Sequence, residues 1–207
     1  MELSDFEYYR EPSGVIYCGD CLKILPLLEP GSVDLVVTDP EYGINVTEMT
    51  LGAGKKNFYR GNWDKSRPQY IADLLKFGRA IIWGGNYFAD QLPITNDWLV
   101  WHKNNDGRSF SEAELAWSNL GTNIRVYHHH WSGEEKQHPT QKPLKVINWC
   151  MGLDKMGCGT ILDPFLGSGT TAVSAKQLGR KFIGIEIEEK YCEIAKKRLA
   201  QEELFNA

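Results

Sequence analysis

The chain has 207 residues, 42% of them hydrophobic and 24% charged, which suits one domain whose core needs no disulfide or metal staple. Its net charge is −4 and its pI about 5.8, so a nucleic-acid partner would have to be met by a local basic surface. No run approaches the roughly 18 consecutive apolar residues of a membrane span, and the opening MELSDFEYYREPSG lacks the basic-then-apolar pattern of a secretory signal, so a cytoplasmic protein with no membrane partner is expected.

In chain order, residues 14–19 (GVIYCG) read as a short apolar strand. Asp20 opens a helix, CLKILPLLEP, that ends near Pro30. VDLVVTDP (33–40) is a buried strand, β-branched and apolar up to a polar break after Val37. Residues 43–68 have no clear period; they carry Lys55, Lys56, Arg60, Lys65 and Arg67 against Glu48 and Asp64, a local excess of positive charge that the overall balance conceals. A helix (69–77) leads to the strand RAIIWGG (79–85). DWLVWHK, AELAWS and NIRVYHHHW, between 97 and 131, suggest antiparallel strands. QHPTQKPLKVINWCMGL begins as a proline-bracketed loop and becomes a helix. TILDPFLGSGTTAVSAKQLG is strand, glycine-rich turn and helix; KFIGIEIEEKYCEIAKKRLA is strand and helix, the last helix spanning about 188–203. Strand–helix alternation at both ends with antiparallel strands between them predicts an α/β fold with a mixed, mainly parallel sheet.

Cysteine and histidine point to no metal centre. The five cysteines (18, 21, 150, 158, 192) have no framework spacing and read as reduced thiols; the pair Cys18 and Cys21 has no second CxxC to complete a zinc site. In the run His128–His130, with His138 nearby, strand alternation sends His129 away from its neighbours.

Gly167 and Gly169 follow an apolar strand and precede a helix, a geometry that lets a ligand approach bare backbone and the positive end of a helix. Thr170 and Thr171 stand where a P-loop needs Lys, which excludes an ATPase of that type. G-S-G-T-T-A fits the loose dinucleotide form, and Glu186, ending the next strand, is placed to bind ribose hydroxyls; on these residues alone a nicotinamide cofactor and S-adenosylmethionine stand level. Only 21 residues follow Glu186, so the remaining strands must come from the amino-terminal part, in a permuted order. A second signal, Asp39-Pro40-Glu41-Tyr42-Gly43, ends the strand VDLVVTDP, and ligands in open α/β sheets bind at such carboxyl ends.

With TDPEYG first, HPTQKP (138–143) next, then LDPFLGSGTT (162–171) and GIEI (184–187), and with an early Gly19-Asp20, the chain resembles the permuted, β-type DNA amino-methyltransferases over about residues 14–200. The resemblance implies one Rossmann-like methyltransferase domain over 1–207, helices on both faces of the sheet, with small DNA-contact insertions near 44–68 and 104–136. It implies S-adenosylmethionine as donor, double-stranded DNA as partner, a restriction-modification setting and a homodimer as a candidate assembly. Carried over by position, Asp163, Phe165, Gly167, Ser168, Gly169, Thr170 and Thr171 line the methionine and backbone side of the cofactor. Glu186 holds its ribose, Asp20 sits near its adenine, and Thr140, Lys142 and Pro143 close over the methionine end. Trp83 and Gly84 border the pocket between cofactor and base.

Asp39, Pro40 and Tyr42 are the expected catalytic residues. An exocyclic amine is a poor nucleophile because its lone pair is conjugated with the ring; a carboxylate and a backbone carbonyl that accept its two N–H bonds favour the pyramidal form. Tyr42 would stack on the base once flipped out of the duplex. Acid-type tetrads in the family point to adenine N6 and serine-type ones to cytosine N4, so Asp39 favours adenine. Glu41 stands where the family has Pro: residue 40 is freer without a following proline, and a second carboxylate near Asp39 would raise one pKa. A weakened S-adenosylmethionine- and DNA-binding protein is therefore the alternative from another class. For DNA contact the candidates are Lys55, Lys56 and Arg60, interleaved with Phe58, Tyr59 and Trp63, and Arg108 in the loop after residue 103.

Overall fold

The structure, a computed structural model, describes residues 1–44, 67–107, 111–131, 141–155, 157 and 159–205; Lys55, Lys56, Arg60, Arg108 and Thr140 lie outside the described residues. Among the described residues nine strands form one sheet: β1 (Glu7–Glu11), β2 (Gly14–Cys18), β3 (Leu35–Thr38), β4 (Ala80–Trp83), β5 (Trp98–His102), β6 (Ala113–Ser118), β7 (Arg125–His128), β8 (Thr160–Asp163) and β9 (Lys181–Glu186), in the order β1-β2-β9-β8-β3-β4-β6-β5-β7. Five adjacent strands, β2, β9, β8, β3 and β4, run parallel in register, so Cys18 lies beside Glu186, Asp163 beside Gly184 and Thr38 beside Ile82. Their carboxyl ends therefore meet along one edge of the sheet.

Two strands depart from the sequence reading. β1, an edge strand antiparallel to β2, arises from EYYRE, an acidic and aromatic stretch with no clean apolar face. Within 97–131, β6 is antiparallel to both β4 and β5, as expected, but β7 pairs with β5 in parallel. The short connection 119–124 makes β7 start where β6 finishes and run against it. That is the direction of β5, on whose outer side β7 lies.

The buried strands alternate between two cores, which is why they read as continuous apolar runs and not as half-polar ones. Ile16, Leu35, Val37, Ile81, Trp83 and Ile161 face a core closed by α2 (Leu144–Gly152), α3 (Thr170–Gln177) and α4 (Glu189–Phe205). Val15, Tyr17, Val36, Ile82, Leu162 and Ile185 face the other core, under α1 (Cys21–Ile24) and short 3-10 segments. That second layer is less helical than the sequence suggests. α1 stops after one turn because Pro26 has no N–H and its ring clashes with the carbonyl of Leu22; the chain continues as a 3-10 turn, Leu25–Leu27. Ile71–Phe77 is likewise 3-10 and buries only Ile71 and Leu74. No helix among the described residues is long and apolar enough to cross a membrane.

A cavity at the carboxyl ends of the parallel strands

Strand ends β3, β4, β8 and β9 open onto one cavity, lined by Asp39, Pro40, Glu41 and Tyr42 after β3, Trp83 of β4, Asp163 and most of the glycine turn up to Thr171 (Pro164 and Gly169 apart), Glu186 to Glu188 after β9, and Gln141 and Lys142 before α2. The two motifs lie more than a hundred residues apart in the chain and are brought together because β3 and β8 are neighbours in the sheet. A direct bond joins them: Thr38 Oγ1 donates to Asp163 Oδ1 at 2.7 Å.

The glycine turn is held from several sides. Asp163 also accepts from the Phe165 N–H at 3.1 Å, and burial pushes its carboxyl up to about 6. Glu186 Oε2 accepts from the Gly167 N–H at 2.7 Å and Oε1 from the Glu188 N–H at 2.8 Å; burial, opposed by these bonds, takes its pKa to about 7. Ser168 Oγ donates to Gln141 Oε1 at 3.1 Å, tying the turn to the QKP segment. Arg198 of α4 supports the turn from outside by donating to the Ser168 carbonyl at 2.7 Å and to Thr170 Oγ1 at 3.0 Å.

The two glycines of the turn serve different ends. A Cβ on Gly167 would meet nothing within 4 Å, so its face toward the cavity is free for a ligand. Gly169 has φ +84° and packs against α4: a Cβ there would stand 2.6 Å from Ala195 Cβ and 3.0 Å from Ala195 Cα. Gly169→Ala is therefore expected to destabilise the fold by about 2–4 kcal/mol, from left-handed backbone strain and overpacking. A urea-denaturation midpoint equal to that of the native chain would refute it.

At the other end of the cavity stands an ionic cluster. Asp39 Oδ2 accepts from Lys142 Nζ at 2.6 Å, and Asp39 Oδ1 accepts from the Tyr42 hydroxyl. Lys142 Nζ also reaches Glu114 Oε2 at 2.9 Å and the Tyr42 hydroxyl at 3.3 Å, and it lies 5.5 Å from the Trp83 ring centroid. Glu114 Oε1 in turn meets Lys103 Nζ at 2.7 Å. Burial pushes the Asp39 carboxyl above its ordinary value, with the Lys142 ammonium opposing it and the Glu114 charge adding to it. Burial would also raise Glu114, but Lys142 and Lys103 together hold it at about 2. Burial works against the Lys142 charge, yet its two carboxylate partners keep it firmly protonated.

Tyr42 is positioned by its neighbours. Its ring stacks on Tyr87, with centroids 4.7 Å apart and planes 16° from parallel, and meets Phe88 edge-on at 6.3 Å. It also lies against Gly84, where φ is +67° and a Cβ would be 2.0 Å from Tyr42 Cε1; no residue but glycine fits.

Of the residues expected from sequence, Asp39, Pro40, Tyr42, Lys142, Asp163, Phe165, Gly167, Ser168, Thr170, Thr171 and Glu186 line the cavity. Asp20, Pro143 and Gly169 do not: Asp20 caps α1 by accepting from the Leu22 N–H at 3.0 Å, Pro143 is the residue before α2, and Gly169 packs on α4. The charge of Glu41 is felt at Cys21 and Tyr70, and the like charge acting on Asp39 is that of Glu114. Sequence reasoning does not find Gln141, Tyr87, Arg198 or Glu114. Gln141 lies inside the HPTQKP string and is readable from it; Glu114 and Arg198 carry no local signal. Cys18 and Cys21 do not act as a pair: Cys21 Sγ lies 3.3 Å from the Tyr70 hydroxyl, and Cys18 ends β2 beside Glu186.

The cavity suits an adenosyl sulfonium amino acid. Glu186 offers a carboxylate for ribose hydroxyls, Phe165, Leu166, Ile187 and Tyr191 give apolar walls, and Gln141, Asp163 and Ser168 form a polar end. The sequence profile of a DNA methylase family, the amino-methylating N6/N4 type, matches residues 89–197. The chain belongs to that family. Its methyl donor is S-adenosylmethionine, and its fold is the Rossmann-like methyltransferase fold. The methylase is 29% identical to the type II methyltransferase M2.LlaDCHI of Lactococcus lactis subsp. cremoris, over 93% of this chain and 91% of that one. It is 26% identical to M2.DpnII of Streptococcus pneumoniae, over 94% and 92%. The crystal structure of M1.HpyAVI with S-adenosylmethionine superposes with a TM-score of 0.60 at 28% identity, covering 89% of this chain and 98% of that one. PvuII DNA methyltransferase, a cytosine-N4-specific enzyme, shares the fold, with a TM-score of 0.57 at 16% identity, over 93% and 94%.

Proposed function

We propose that this methylase transfers a methyl group to adenine N6 in double-stranded DNA at a short target site, with Asp39, Pro40 and Tyr42 as the residues that meet the base. The observation that carries the proposal is the Asp39 carboxylate itself. Its side chain is 24% exposed and borders the cavity, while that of Lys142 is 7% exposed and turns its ammonium to Asp39 and Glu114, so the carboxylate is the more accessible of the pair. Both Asp39 oxygens already accept one bond, and each keeps a lone pair for an incoming N–H. Asp39 and the Pro40 carbonyl take the two N–H bonds of the amine, and the lone pair of the nitrogen is thereby freed from the ring. When bound, S-adenosylmethionine supplies an electrophilic methyl that needs no metal to activate it. Tyr42, supported by Tyr87 and Gly84, stacks on the flipped base.

An acid at the head of the tetrad supports adenine; cytosine N4, which the same family includes, is the second reading. Expression in a methylation-free host followed by modification-sensitive sequencing tests all of this together. N6-methyladenine at one short motif is expected, and methylation on cytosine N4 would overturn the base assignment. Unmethylated host DNA, with S-adenosylmethionine still bound by the purified chain, would favour the weakened-enzyme reading that Glu41 raises.

We propose further that the whole chain acts as one methyltransferase domain in the cytoplasm, gripping DNA through the basic segment around Lys55, Lys56 and Arg60 and through Arg108, alone or as a homodimer. Changing Lys55, Lys56 and Arg60 together to Ala is expected to weaken DNA binding and flatten its salt dependence, by a slope of about 0.9 for each phosphate no longer neutralised. An unchanged slope would count against that segment.

A further inference from the structure

We infer that Glu114, on β6, is a positioning residue for methyl transfer: together with Lys103 it holds the Lys142 ammonium against Asp39 and so fixes the orientation and charge of the carboxylate that meets the base. The inference rests on Asp39 being that carboxylate.

An ammonium has three N–H bonds and no acceptor. Lys142 directs them at Asp39 Oδ2 (2.6 Å), Glu114 Oε2 (2.9 Å) and the Tyr42 hydroxyl (3.3 Å), so its donors are spent on the protein and the direction of its charge is set by two carboxylates. Glu114 reaches this place because β6 runs against its neighbour β4. Trp83, at the end of β4, pairs with Ala116, so the start of β6 lies at the edge where the parallel strands end. Lys103 follows β5 and closes the outer side of Glu114 at 2.7 Å. The result is an alternating row, Lys103, Glu114, Lys142, Asp39, with the Tyr42 hydroxyl on Asp39 at its inner end. Charges in such a row are each held by neighbours of opposite sign, which offsets the cost of removing them from water. A row with one member missing leaves a lopsided field at Asp39.

The groups facing Asp39 are Lys142 and Glu114 across the cluster and Tyr42 on its own loop, with Asp163 of β8 close enough to feel its charge. Removing the Glu114 charge leaves Lys142 to Asp39 alone, which lowers the Asp39 pKa. Removing Lys103 takes a cation from the row and raises it. Asp39 is active as a carboxylate, so the acid limb of the rate profile moves to lower pH in Glu114→Gln and to higher pH in Lys103→Gln. A purely structural role for the two residues would move neither limb.

The test measures turnover, KM for DNA and S-adenosylmethionine affinity against pH for the native chain, Glu114→Gln, Glu114→Asp, Lys103→Gln and Asp39→Ala. Glu114→Gln is expected to lose kcat by about tenfold with little change in KM or cofactor affinity, because the carboxylate is less well aimed. Glu114→Asp should recover part of that loss. Limbs that move in opposite directions support the inference. Unmoved limbs with native turnover in a cofactor-binding Glu114→Gln overturn it while leaving the methyl-transfer reading intact. Should Glu114→Gln fail to bind cofactor, Lys103→Gln at the solvent end decides by its limb alone. A native chain that is silent on DNA, or an Asp39→Ala chain that is fully active, overturns the assignment of Asp39 and this inference with it.

Discussion

Replacing Asp39 by Ala is expected to lower methyl transfer by about 10³-fold, the usual consequence of removing a group whose bonds count most in the transition state. The base amine would lose the acceptor that draws its lone pair out of conjugation, and Tyr42 would lose the acceptor of its hydroxyl. Lys142 would then face Glu114 alone, already its partner at 2.9 Å, so the ammonium stays neutralised and the fold is expected to stand. S-adenosylmethionine binding should change little, because the glycine turn is held by Glu186, Asp163 and Arg198 without help from Asp39. Single-turnover kinetics with calorimetric cofactor binding would separate the two. Tight cofactor binding with turnover within tenfold of native would refute the role of Asp39.

Lys142→Met is expected to be nearly as severe at neutral pH, and for a different reason. The change removes the one cation between two carboxylates, leaving Asp39 and Glu114 facing each other with only Lys103 at the outer side. Asp39 already stands above its ordinary value through burial, with Lys142 holding it down. Without that cation its pKa rises further, so at a given pH more of it is protonated and unable to accept the amine. The sign is therefore a loss of activity at neutral pH, about 10²-fold, that is partly recovered as pH rises. Native enzyme should show its acid limb at lower pH than the variant. A variant whose limb coincides with the native one, whatever its absolute rate, would mean that Lys142 does not govern the charge of Asp39.

Most of the cavity is legible along the chain because its parts are local. Residues that end a parallel strand are contiguous with a readable apolar run: Asp39 follows LVVT, Asp163 ends TILD and Glu186 ends KFIGIE. Their chemistry is also local, since a glycine turn before a helix announces itself by composition. Asp20 has a structural task that position alone does not announce: it caps α1, with its carboxylate on the Leu22 N–H. Gly169 has one too, since helix packing against Ala195 demands a glycine there. The parallel pairing of β7 escapes a sequence reading because hairpin-like spacing says nothing about which side of β5 the strand will join.

Sequence by itself determined the α/β class, the permuted order and the residues at the ends of the central strands, because strand periodicity and turn chemistry act over a few residues; the family was legible only as a resemblance of motifs in their chain order. Tertiary structure alone decided which residues meet across the sheet. Glu114 is near the start of an antiparallel strand, where nothing in AELAWS marks it, and only the reversal of β6 against β4 brings that start to the active edge. Lys142, expected at the cofactor, turns its charge to Asp39 and Glu114, because two half-buried carboxylates attract an ammonium more strongly than any local preference directs it.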